Sequence, residues 1–427
     1  MKTILIKNGR LIDSASKRDE VVDILIEAGK ISKIAKGITE AADKVIEAKN
    51  KIVMPGLIDM HVHLREPGRE DKETIRSGTK AALKGGVTSV LAMPNTSPTI
   101  DSLESIKLLR NIIEKDAKAN VLLCAAITKQ RKGEELTDIA SFKKEGVVAI
   151  TDDGSSVDDQ DLMKDALRKA EENNLLVICH CEDKSLSKNG VVNHGFTSTR
   201  MGLRGISNES EYKAVKRDIE LAAKLEAKVH IAHVSCRESV EIISEAKKKG
   251  VRVSAETAPH YFSLTESSLL GFDTNKKMNP PLRSEDDRKS IVEGLVDGTI
   301  DVIACDHAPH TENEKDIEFD RAEFGVIGLE TELAVAITEL IDKGLLSWSD
   351  LVDKMAYNPA KILGINKGTL KIGADADIIV VSPQEEWTVE KQGVISKSKN
   401  SCFLGKKVKG VVDYTIYKGN IAYTSGQ

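Results

Sequence analysis

The sequence has little net charge, no paired-cysteine motif and no long apolar run. Its 62 basic and 67 acidic residues leave a net charge of −5, which argues against a nucleic-acid or other polyanionic partner. No run approaches the roughly 20 apolar residues of a membrane span, and the apolar run at residues 1–6 is too short for a signal peptide. The six cysteines form no C-x-x-C pair and lie mostly in apolar runs, so we expect buried, reduced thiols in a cytoplasmic protein.

Two signatures of common enzyme folds are also absent. The chain contains no Gly-x-Ser-x-Gly motif, which argues against a serine nucleophile on a tight strand-to-helix turn. A doubly wound open sheet would place a Gly-rich phosphate-binding turn after its first strand, whereas Gly85-Gly86 precedes a predicted strand. An open sheet of that type is therefore disfavoured.

From residue 56 onward, short apolar runs alternate with segments of helical periodicity such as 72–84, 159–173 and 209–225. The eight apolar runs are residues 57–64, 87–93, 121–127, 147–151, 176–181, 229–234, 251–255 and 300–305. Eight strands, each followed by a helix, predict the α/β class and a (β/α)8 TIM barrel.

The two ends of the chain show a different pattern. Both contain short apolar runs separated by turn signals such as Asn8-Gly9 and Lys418-Gly419, which are typical of β-hairpins. We predict that residues 1–55 and 367–427 together form one small β-sandwich domain. Residues 56–366 would form the metal-dependent catalytic barrel.

The first predicted barrel strand ends in a polar face that is rich in histidine. Side chains alternate across a strand, so every second residue from 59 to 65 shares one face: Asp59, His61, His63 and Arg65. Two imidazoles that are two residues apart on a stiff strand can both reach one metal ion. We expect Asp59 to support this pair of histidines from behind.

Polar side chains also follow the other predicted strands, at the end where barrel enzymes place their reactive groups. In chain order they are Asn95, Asp152, Asp153, His180, His230, His233, Glu256, His260, Asp306, His307 and His310. Several imidazoles with two or more carboxylates exceed the ligands of one tetrahedral zinc, so we predict a two-metal site. Imidazole-rich sites suit zinc, and a water activated there would be the nucleophile of a hydrolytic reaction.

Not every histidine is expected to bind a metal. His230 and His233 face opposite ways on a regular strand, and we favour His233 as the ligand. His194 lies in a loop that contains glycine and serine, and we predict that it is a surface residue. His260 and His307 are expected to orient or pack against other groups.

Five motifs together resemble the dihydroorotase family of the amidohydrolase superfamily, in its long type with an accessory β domain. The motifs are residues 61–68, 93–96, 279–283, 305–310 and 323–331. The His-x-His pair alone is typical only of the superfamily, whereas Arg65, Asn95 and the segment at Asn279 narrow the resemblance to dihydroorotases. The resemblance extends through nearly the whole chain.

The resemblance implies ligands for two zinc ions in each subunit. They are His61, His63 and Asp306 for the first ion and His180 and His233 for the second, with Asp153 as the bridge. Other binuclear members of the superfamily carry a carbamylated lysine at the bridging position, where this sequence has no lysine. The long-type dihydroorotases use a carboxylate there, and Asp152 is the alternative bridging residue.

The resemblance also implies a substrate site and a reaction. The implied substrate-binding residues are His63, Arg65, Asn95, Asn279 and His310, with the backbone at Phe324 and Gly325. Arg65, Asn95 and His310 would bind a carboxylate, onto which a guanidinium can place two hydrogen bonds. Asp306 would be both metal ligand and catalytic acid and base. The expected reaction is the reversible cyclisation of N-carbamoyl-L-aspartate to L-dihydroorotate plus water, a step of pyrimidine (UMP) biosynthesis.

Two other functions compete with this expectation. A hydantoinase or allantoinase would use the same metal site on another cyclic amide. A catalytically silent barrel that scaffolds aspartate transcarbamoylase would lack metal ligands, yet every implied ligand position is filled. The resemblance is compatible with a homodimer and with a complex between an active enzyme and aspartate transcarbamoylase. Neither a nucleic acid nor a membrane is expected as a partner.

Overall fold

The computed structural model describes residues 3–426. Met1, Lys2 and Gln427, which belong to the ends of the predicted β domain and in part to the short apolar N-terminal run, lie outside the described residues. The strands are β1 (Ile4–Asp13), β2 (Arg18–Glu27), β3 (Lys30–Ala35), β4 (Lys44–Glu47), β5 (Ile52–Pro55), β6 (Leu57–Val62), β7 (Val87–Ala92), β8 (Asn120–Ala125), β9 (Val147–Ile150), β10 (Leu176–Cys179), β11 (Val192–Asn193), β12 (Gly205–Ile206), β13 (Val229–Ile231), β14 (Val253–Thr257), β15 (Val302–Ile303), β16 (Ile378–Thr388), β17 (Lys407–Tyr417) and β18 (Asn420–Thr424).

The helices lie mainly between the strands β6 to β16. The α-helices are α1 (Ile75–Lys84), α2 (Leu103–Asp116), α3 (Ile139–Lys144), α4 (Gln160–Glu172), α5 (Lys184–Ser187), α6 (Phe196–Met201), α7 (Asn208–Lys224), α8 (Arg237–Lys248), α9 (Pro259–Ser263), α10 (Glu285–Asp297), α11 (Glu312–Lys315), α12 (Glu332–Ala336), α13 (Trp348–Val352) and α14 (Asn358–Leu363). Short 3-10 turns lie at Lys129–Arg131, Glu266–Leu269, Thr274–Lys276 and Lys391–Gly393, and π-helical turns at Ile337–Ile341 and Asp353–Tyr357. Among the described residues, no helix combines the length and hydropathy that crossing a lipid bilayer requires.

Eight parallel strands form the barrel, in the order β6-β7-β8-β9-β10-β13-β14-β15. The last strand returns to the first, because the His63 N–H donates to the His307 carbonyl at 2.9 Å and Val62 pairs with His307. The predicted TIM barrel is therefore confirmed. Its seventh strand lies slightly later in the chain than predicted, at Val253–Thr257.

Strand alternation separates the side chains of β6 as predicted. Ile58 and Met60 are buried in an apolar cluster that also contains Leu363 of α14. His61 has the opposite parity, and its ring contacts Glu256 of β14 inside the barrel. The apolar face of β6 therefore packs against the helices, and its polar face points into the barrel. The last residues of this polar face lie at the barrel mouth, which the C-terminal ends of the strands form.

Helix α1 begins later than its periodicity predicts. Thr74 accepts a hydrogen bond from the Ser77 N–H at 3.0 Å, and the Thr74 N–H donates to Ser77 Oγ at 3.1 Å. This reciprocal cap starts the helix at Ile75. Lys72 therefore lies in the turn before α1, where its side chain is only 4% exposed.

The second large sheet joins both ends of the chain, as predicted. Its strand order is β18-β17-β16-β5-β1-β2-β3, with β4 paired to β1. The two chain ends meet where β5 pairs antiparallel with β16, and Ile6, Ile24 and Ile378 share the core of this sheet. The exact domain limits, between residues 55 and 56 and between 366 and 367, stay a prediction.

The connection between β16 and β17 leaves the sheet and reaches the barrel mouth. Residues 396–400 of this connection are called the mouth segment. Its Ser398 hydroxyl donates to the Lys72 carbonyl at 2.7 Å, and the Asn400 side-chain oxygen accepts the His310 N–H at 3.2 Å. The β domain thus supplies side chains to the end of the barrel that carries the candidate site.

Candidate metal centre

Six of the predicted side chains converge inside the barrel mouth. They are His61, His63, Asp153, His180, His233 and Asp306, each at most 9% exposed. They come from the ends of five strands, β6, β9, β10, β13 and β15. The ring centroids are 5.5 Å apart for His61 and His63, 5.3 Å for His61 and His233, and 4.7 Å for His180 and His233. The structure therefore brings together the whole ligand set that the resemblance implies.

Asp153 lies at the centre of this cluster. Its carboxylate oxygens are 3.2 Å from His61 Nε2, 3.4 Å from His63 Nε2, 3.4 Å from His180 Nδ1 and 3.6 Å from His233 Nε2. Burial raises the pKa of Asp153, but the surrounding imidazoles outweigh burial and hold this pKa well below its usual value. A carboxylate that faces histidines from three strands is suited to bridge two cations.

The cluster fits a metal centre by its own geometry. The ligand atoms of His61, His63 and Asp306 all lie within 4.8 Å of one another, and so do those of His61, Asp153 and His233. His61 Nε2 and Asp153 Oδ1 are buried without a hydrogen-bond partner, which is unfavourable unless another group pairs with them. Imidazole nitrogens combined with carboxylate oxygens form a donor set that zinc prefers.

Three residues of the mouth have a left-handed backbone conformation. The φ angles are +62° at Arg65, +37° at His233 and +49° at Asp306. Residues other than glycine rarely adopt this conformation, which costs about 1–3 kcal/mol each and is concentrated at functional sites. At His233 this turn ends the regular strand alternation and directs the imidazole toward Asp153.

Glu256 is a buried residue to which the sequence analysis assigns no role. Its Oε1 lies 2.5 Å from His61 Nδ1 and its Oε2 lies 3.2 Å from His230 Nε2. The contact fixes the His61 ring with its Nε2 toward Asp153. Burial raises the pKa of Glu256, but His61 and His230 outweigh it and hold this pKa well below the usual value. In the sequence, the position of Glu256 at the end of the seventh predicted strand is the signal that could have placed it in the site.

Asp59 supports the histidine pair through the backbone rather than through the rings. Its carboxylate accepts the His61 N–H at 2.9 Å and the Cys305 N–H at 3.1 Å. The first hydrogen bond lies within β6, and the second ties β6 to Cys305, which follows β15 and precedes Asp306. Burial raises the pKa of Asp59 to about 6, against the opposing effect of its hydrogen bonds.

Asp152 points away from the cluster of histidines and carboxylates. Its Oδ1 accepts the Ile127 N–H at 2.8 Å and the Thr128 N–H at 3.0 Å, and the Thr128 hydroxyl donates to its Oδ2. All of these contacts lie on the loop after β8. Of the two adjacent carboxylates, Asp153 is therefore the one placed among the imidazoles.

A second group of predicted residues lies at the rim of the mouth. Arg65 Nε donates to the Pro309 carbonyl at 3.1 Å, and Arg65 Nη2 lies 3.2 Å from His310 Nε2. Asn95 Oδ1 lies 2.8 Å from His63 Nδ1, so its carbonyl oxygen orients that ring. These rim groups lie next to the cluster of histidines and carboxylates, so one bound molecule could contact the rim and the cluster together.

Asn279 lies near Glu182 and His180, whereas the Phe324-Gly325 backbone lies next to His310. The Asn279 amide donates to Glu182 Oε2 at 3.2 Å, and Glu182 lies 3.4 Å from His180 Nε2. The Gly325 N–H donates to the Lys277 carbonyl at 3.0 Å, and the Gly325 carbonyl accepts from Lys315 Nζ and Asn400 Nδ2. Both backbone groups of Gly325 are therefore paired within the chain.

The remaining histidines lie outside the cluster, as predicted. His194 is exposed. His307 accepts the Gly328 N–H at its Nδ1 and places its Nε2 3.4 Å from Glu73, which is a packing role. Burial lowers the pKa of His260 to about 4, and its ring packs edge-on against Tyr261.

Solved structures with the same architecture define the class of the protein. An L-hydantoinase (dihydropyrimidinase) from Arthrobacter aurescens matches with a TM-score of 0.91 and 25% identity, over 100% of this chain and 97% of the other. A D-hydantoinase matches with a TM-score of 0.88 and 25% identity, over 100% and 96%. Together with the histidines and carboxylates at the barrel mouth, these similarities define a metal-dependent cyclic amidohydrolase.

Sequence relatives narrow the class to one family. Residues 50–239 match the family described as Dihydro-orotase-like. A dihydroorotase of Elusimicrobium minutum is 51% identical over 422 residues, 99% of this chain and 98% of that protein. A dihydroorotase of Geobacter metallireducens is 49% identical over 421 residues, 98% of this chain and 99% of that protein. The chain belongs to the dihydroorotase family, as its motifs predict.

Proposed function

We propose that the barrel mouth catalyses the reversible cyclisation of N-carbamoyl-L-aspartate to L-dihydroorotate plus water, in pyrimidine biosynthesis. One observation supports this function most directly: the Asp153 carboxylate lies within 3.6 Å of ring nitrogens from four histidines, on three strands. This arrangement suits metal-assisted hydrolysis of an amide. Membership of the dihydroorotase family supports the choice of substrate.

The proposed cofactor is a pair of zinc ions in each subunit. Their proposed ligands are His61, His63 and Asp306 for one ion and His180 and His233 for the other, with Asp153 between them. When bound, the ions would lower the pKa of a shared water and polarise the substrate carbonyl. Glu256 and Asn95 would keep the His61 and His63 rings in the orientation that binding needs.

Asp306 is the proposed catalytic acid and base. Its Oδ1 lies 3.1 Å from His63 Nε2, and the residue is 9% exposed, so its carboxylate borders the open mouth. In the hydrolytic direction Asp306 would take the proton of the attacking water and deliver it to the departing ring nitrogen. In the cyclising direction the carbamoyl nitrogen attacks the side-chain carboxylate carbon, and Asp306 would accept the proton that this nitrogen loses. It would pass that proton to the carboxylate oxygen whose bond to carbon breaks, and a second proton from solvent completes the departing water.

Arg65, Asn95 and His310 are the proposed partners of the substrate carboxylate, and His63 borders the same space. A guanidinium provides parallel N–H groups that match the two oxygens of a carboxylate. Asn279 and the backbone at Phe324 and Gly325 would contact the amide edges of the ring. For Gly325 this requires exchange of its present hydrogen bonds within the chain.

Arg65→Met is expected to raise KM for N-carbamoyl-L-aspartate about 10- to 100-fold, because charge-assisted hydrogen bonds contribute about 1.5–3 kcal/mol. Bound metal should stay at the wild-type level, since Arg65 contacts none of the proposed ligands' donor atoms. Steady-state kinetics and metal analysis of the same preparation measure both. Arg76→Met is the matched control, because it removes an exposed guanidinium of α1 that pairs with Asp116 of α2. Unchanged kinetics in Arg65→Met would remove this residue from the substrate site.

Turnover of dihydroorotate, hydantoin and allantoin, measured side by side, tests the function. We expect kcat/KM to favour dihydroorotate by at least about 100-fold, because a site built to pair a charged group rejects substrates that leave it unpaired. A chelator is expected to abolish turnover and added Zn²⁺ to restore it. A preference for hydantoin would instead assign this chain the activity of its structural neighbours.

A homodimer and a complex with aspartate transcarbamoylase, both in the cytoplasm, complete the proposal. These partners rest on the family resemblance, and the six buried, free cysteines are typical of a reducing compartment. Light scattering of the protein, alone and mixed with aspartate transcarbamoylase, measures both assemblies.

A further inference from the structure

His310 lies between two cationic side chains at the rim of the mouth. Lys72 Nζ is 3.0 Å from His310 Nδ1, and Arg65 Nη2 is 3.2 Å from His310 Nε2. Lys72 and His310 are 4% and 5% exposed. Ammonium and guanidinium groups carry only donors and no acceptor. Glu314 Oε2 lies 3.6 Å from His310 Nδ1, beyond hydrogen-bond distance. Within hydrogen-bond distance, each imidazole nitrogen therefore faces a group that can donate a hydrogen bond but cannot accept one.

This arrangement makes His310 neutral. An imidazolium would carry a proton on both nitrogens and would place each of them against a cation. Burial lowers the pKa of His310 to about 2, and the charges of Arg65, Lys72 and Lys315 act in the same direction, against the opposing charge of Glu314. A neutral imidazole has one N–H and one lone pair, so only one of its two neighbours can donate to it.

Burial and partners favour Lys72 as that donor. Its ammonium contacts Glu314 Oε1 at 2.9 Å and His310 Nδ1 at 3.0 Å, and buried ammonium protons need acceptors. The Ser398 hydroxyl of the mouth segment holds the Lys72 carbonyl, which fixes the residue in place. Arg65 is less buried and already donates to the Pro309 carbonyl through Nε.

We propose that Lys72 is a positioning residue that sets the tautomer of His310. Lys72 donates to His310 Nδ1, which leaves the imidazole proton on Nε2. His310 Nε2–H and Arg65 Nη2 are then two donors 3.2 Å apart. This contact is unfavourable until an acceptor binds to both groups. Two adjacent donors are suited to the paired oxygens of one carboxylate. This inference rests on the proposed function, in which that carboxylate belongs to dihydroorotate or carbamoyl aspartate.

The ¹⁵N chemical shifts of the imidazole nitrogens report the tautomer directly. The protein is labelled with ¹⁵N-histidine, loaded with Zn²⁺ and measured with and without dihydroorotate. The His310 signals are assigned as those lost in His310→Asn. We expect a protonated Nε2 and an unprotonated Nδ1 in wild type, and a mixture of tautomers in Lys72→Met. A proton on Nδ1 in the wild-type protein would overturn the proposal.

Kinetics of Lys72→Met provide the second measurement. Methionine keeps the length of the side chain but removes the donor, so KM for dihydroorotate should rise about tenfold while kcat changes less than about threefold. Lys354→Met is the matched control, because Lys354 is also buried (6% exposed) but donates to the Ile300 carbonyl at the far end of β15. We expect this variant to lose thermal stability and to keep the wild-type KM.

The possible results separate this inference from the proposed function. Wild-type turnover with an unchanged KM in Lys72→Met would refute the role of Lys72 and leave the function standing. Absence of dihydroorotate turnover by the wild-type protein would refute both. If Lys72→Met fails to fold, the wild-type tautomer alone decides the outcome.

Discussion

Asp306→Asn is expected to lower kcat for dihydroorotate at least about 10³-fold, because proton transfer by a positioned side chain contributes about 10²–10⁴-fold. The amide keeps the size of the side chain and one oxygen that can face His63, but it cannot take up and release a proton. Asp306 is buried next to His63 Nε2, at 3.1 Å, so the variant also loses a charge that balances the imidazoles. Steady-state kinetics in both reaction directions measure the effect.

Asp301→Asn is the matched control for this prediction. Asp301 lies just before β15, at the opposite end of the same strand, where its carboxylate accepts the Ala255 N–H at 2.9 Å and pairs with Lys247 at 2.6 Å. We expect it to keep wild-type kcat. Thermal melting of both variants shows that the barrel is folded. Near-normal turnover by Asp306→Asn would refute the role of Asp306 as acid and base.

Asp153→Asn has the second large effect that we expect. The substitution removes the negative charge that faces four imidazoles, so both proposed zinc sites lose a ligand. Metal content should fall from two ions to one or none per chain, and kcat should fall about 10³-fold, since a metal-activated water is lost. Metal analysis after dialysis, followed by kinetics, measures this.

The neighbouring Asp152→Asn makes the same chemical change outside the cluster. Asp152 is 3% exposed and accepts hydrogen bonds from Ile127 and Thr128, so we expect it to lose about 1–2 kcal/mol of stability. It should keep both metal ions and most of its turnover. Retention of two ions by Asp153→Asn, or their loss in Asp152→Asn, would reverse the proposed roles of these carboxylates.

The barrel and the gathering of histidines and carboxylates at its mouth could be predicted because they follow from local patterns, whereas the individual metal ligands were implied by the family resemblance. Eight apolar runs predict the strands, and the carboxyl ends of parallel strands meet at one mouth. Side chains as distant in sequence as His61 and Asp306 must therefore lie together there. The joining of the two chain ends in one β domain was predictable in the same way, because both ends share the hairpin pattern, whereas the pairing of β5 with β16 is seen only in the structure.

Contacts between distant turns could not be predicted. Periodicity places Lys72 in a helix, and only the cap at Thr74 moves it into the turn that faces His310. Glu256 could be placed at a strand end, but its contact with His61 depends on how closely the barrel closes. The turn at His233 depends on a positive φ of 37°, which no residue pattern signals. These features arise from contacts between distant parts of the chain, which leave no periodic pattern in the local sequence.

The mouth segment connects the accessory sheet to the proposed substrate site. Asn400 accepts the His310 N–H although the two residues are 90 positions apart, and it also donates to the Gly325 carbonyl. A chimera that joined this barrel to a foreign accessory sheet would keep every proposed zinc ligand and still lose the Asn400 contacts with His310 and Gly325. We therefore expect this barrel to work fully only with an accessory sheet that supplies the same contacts.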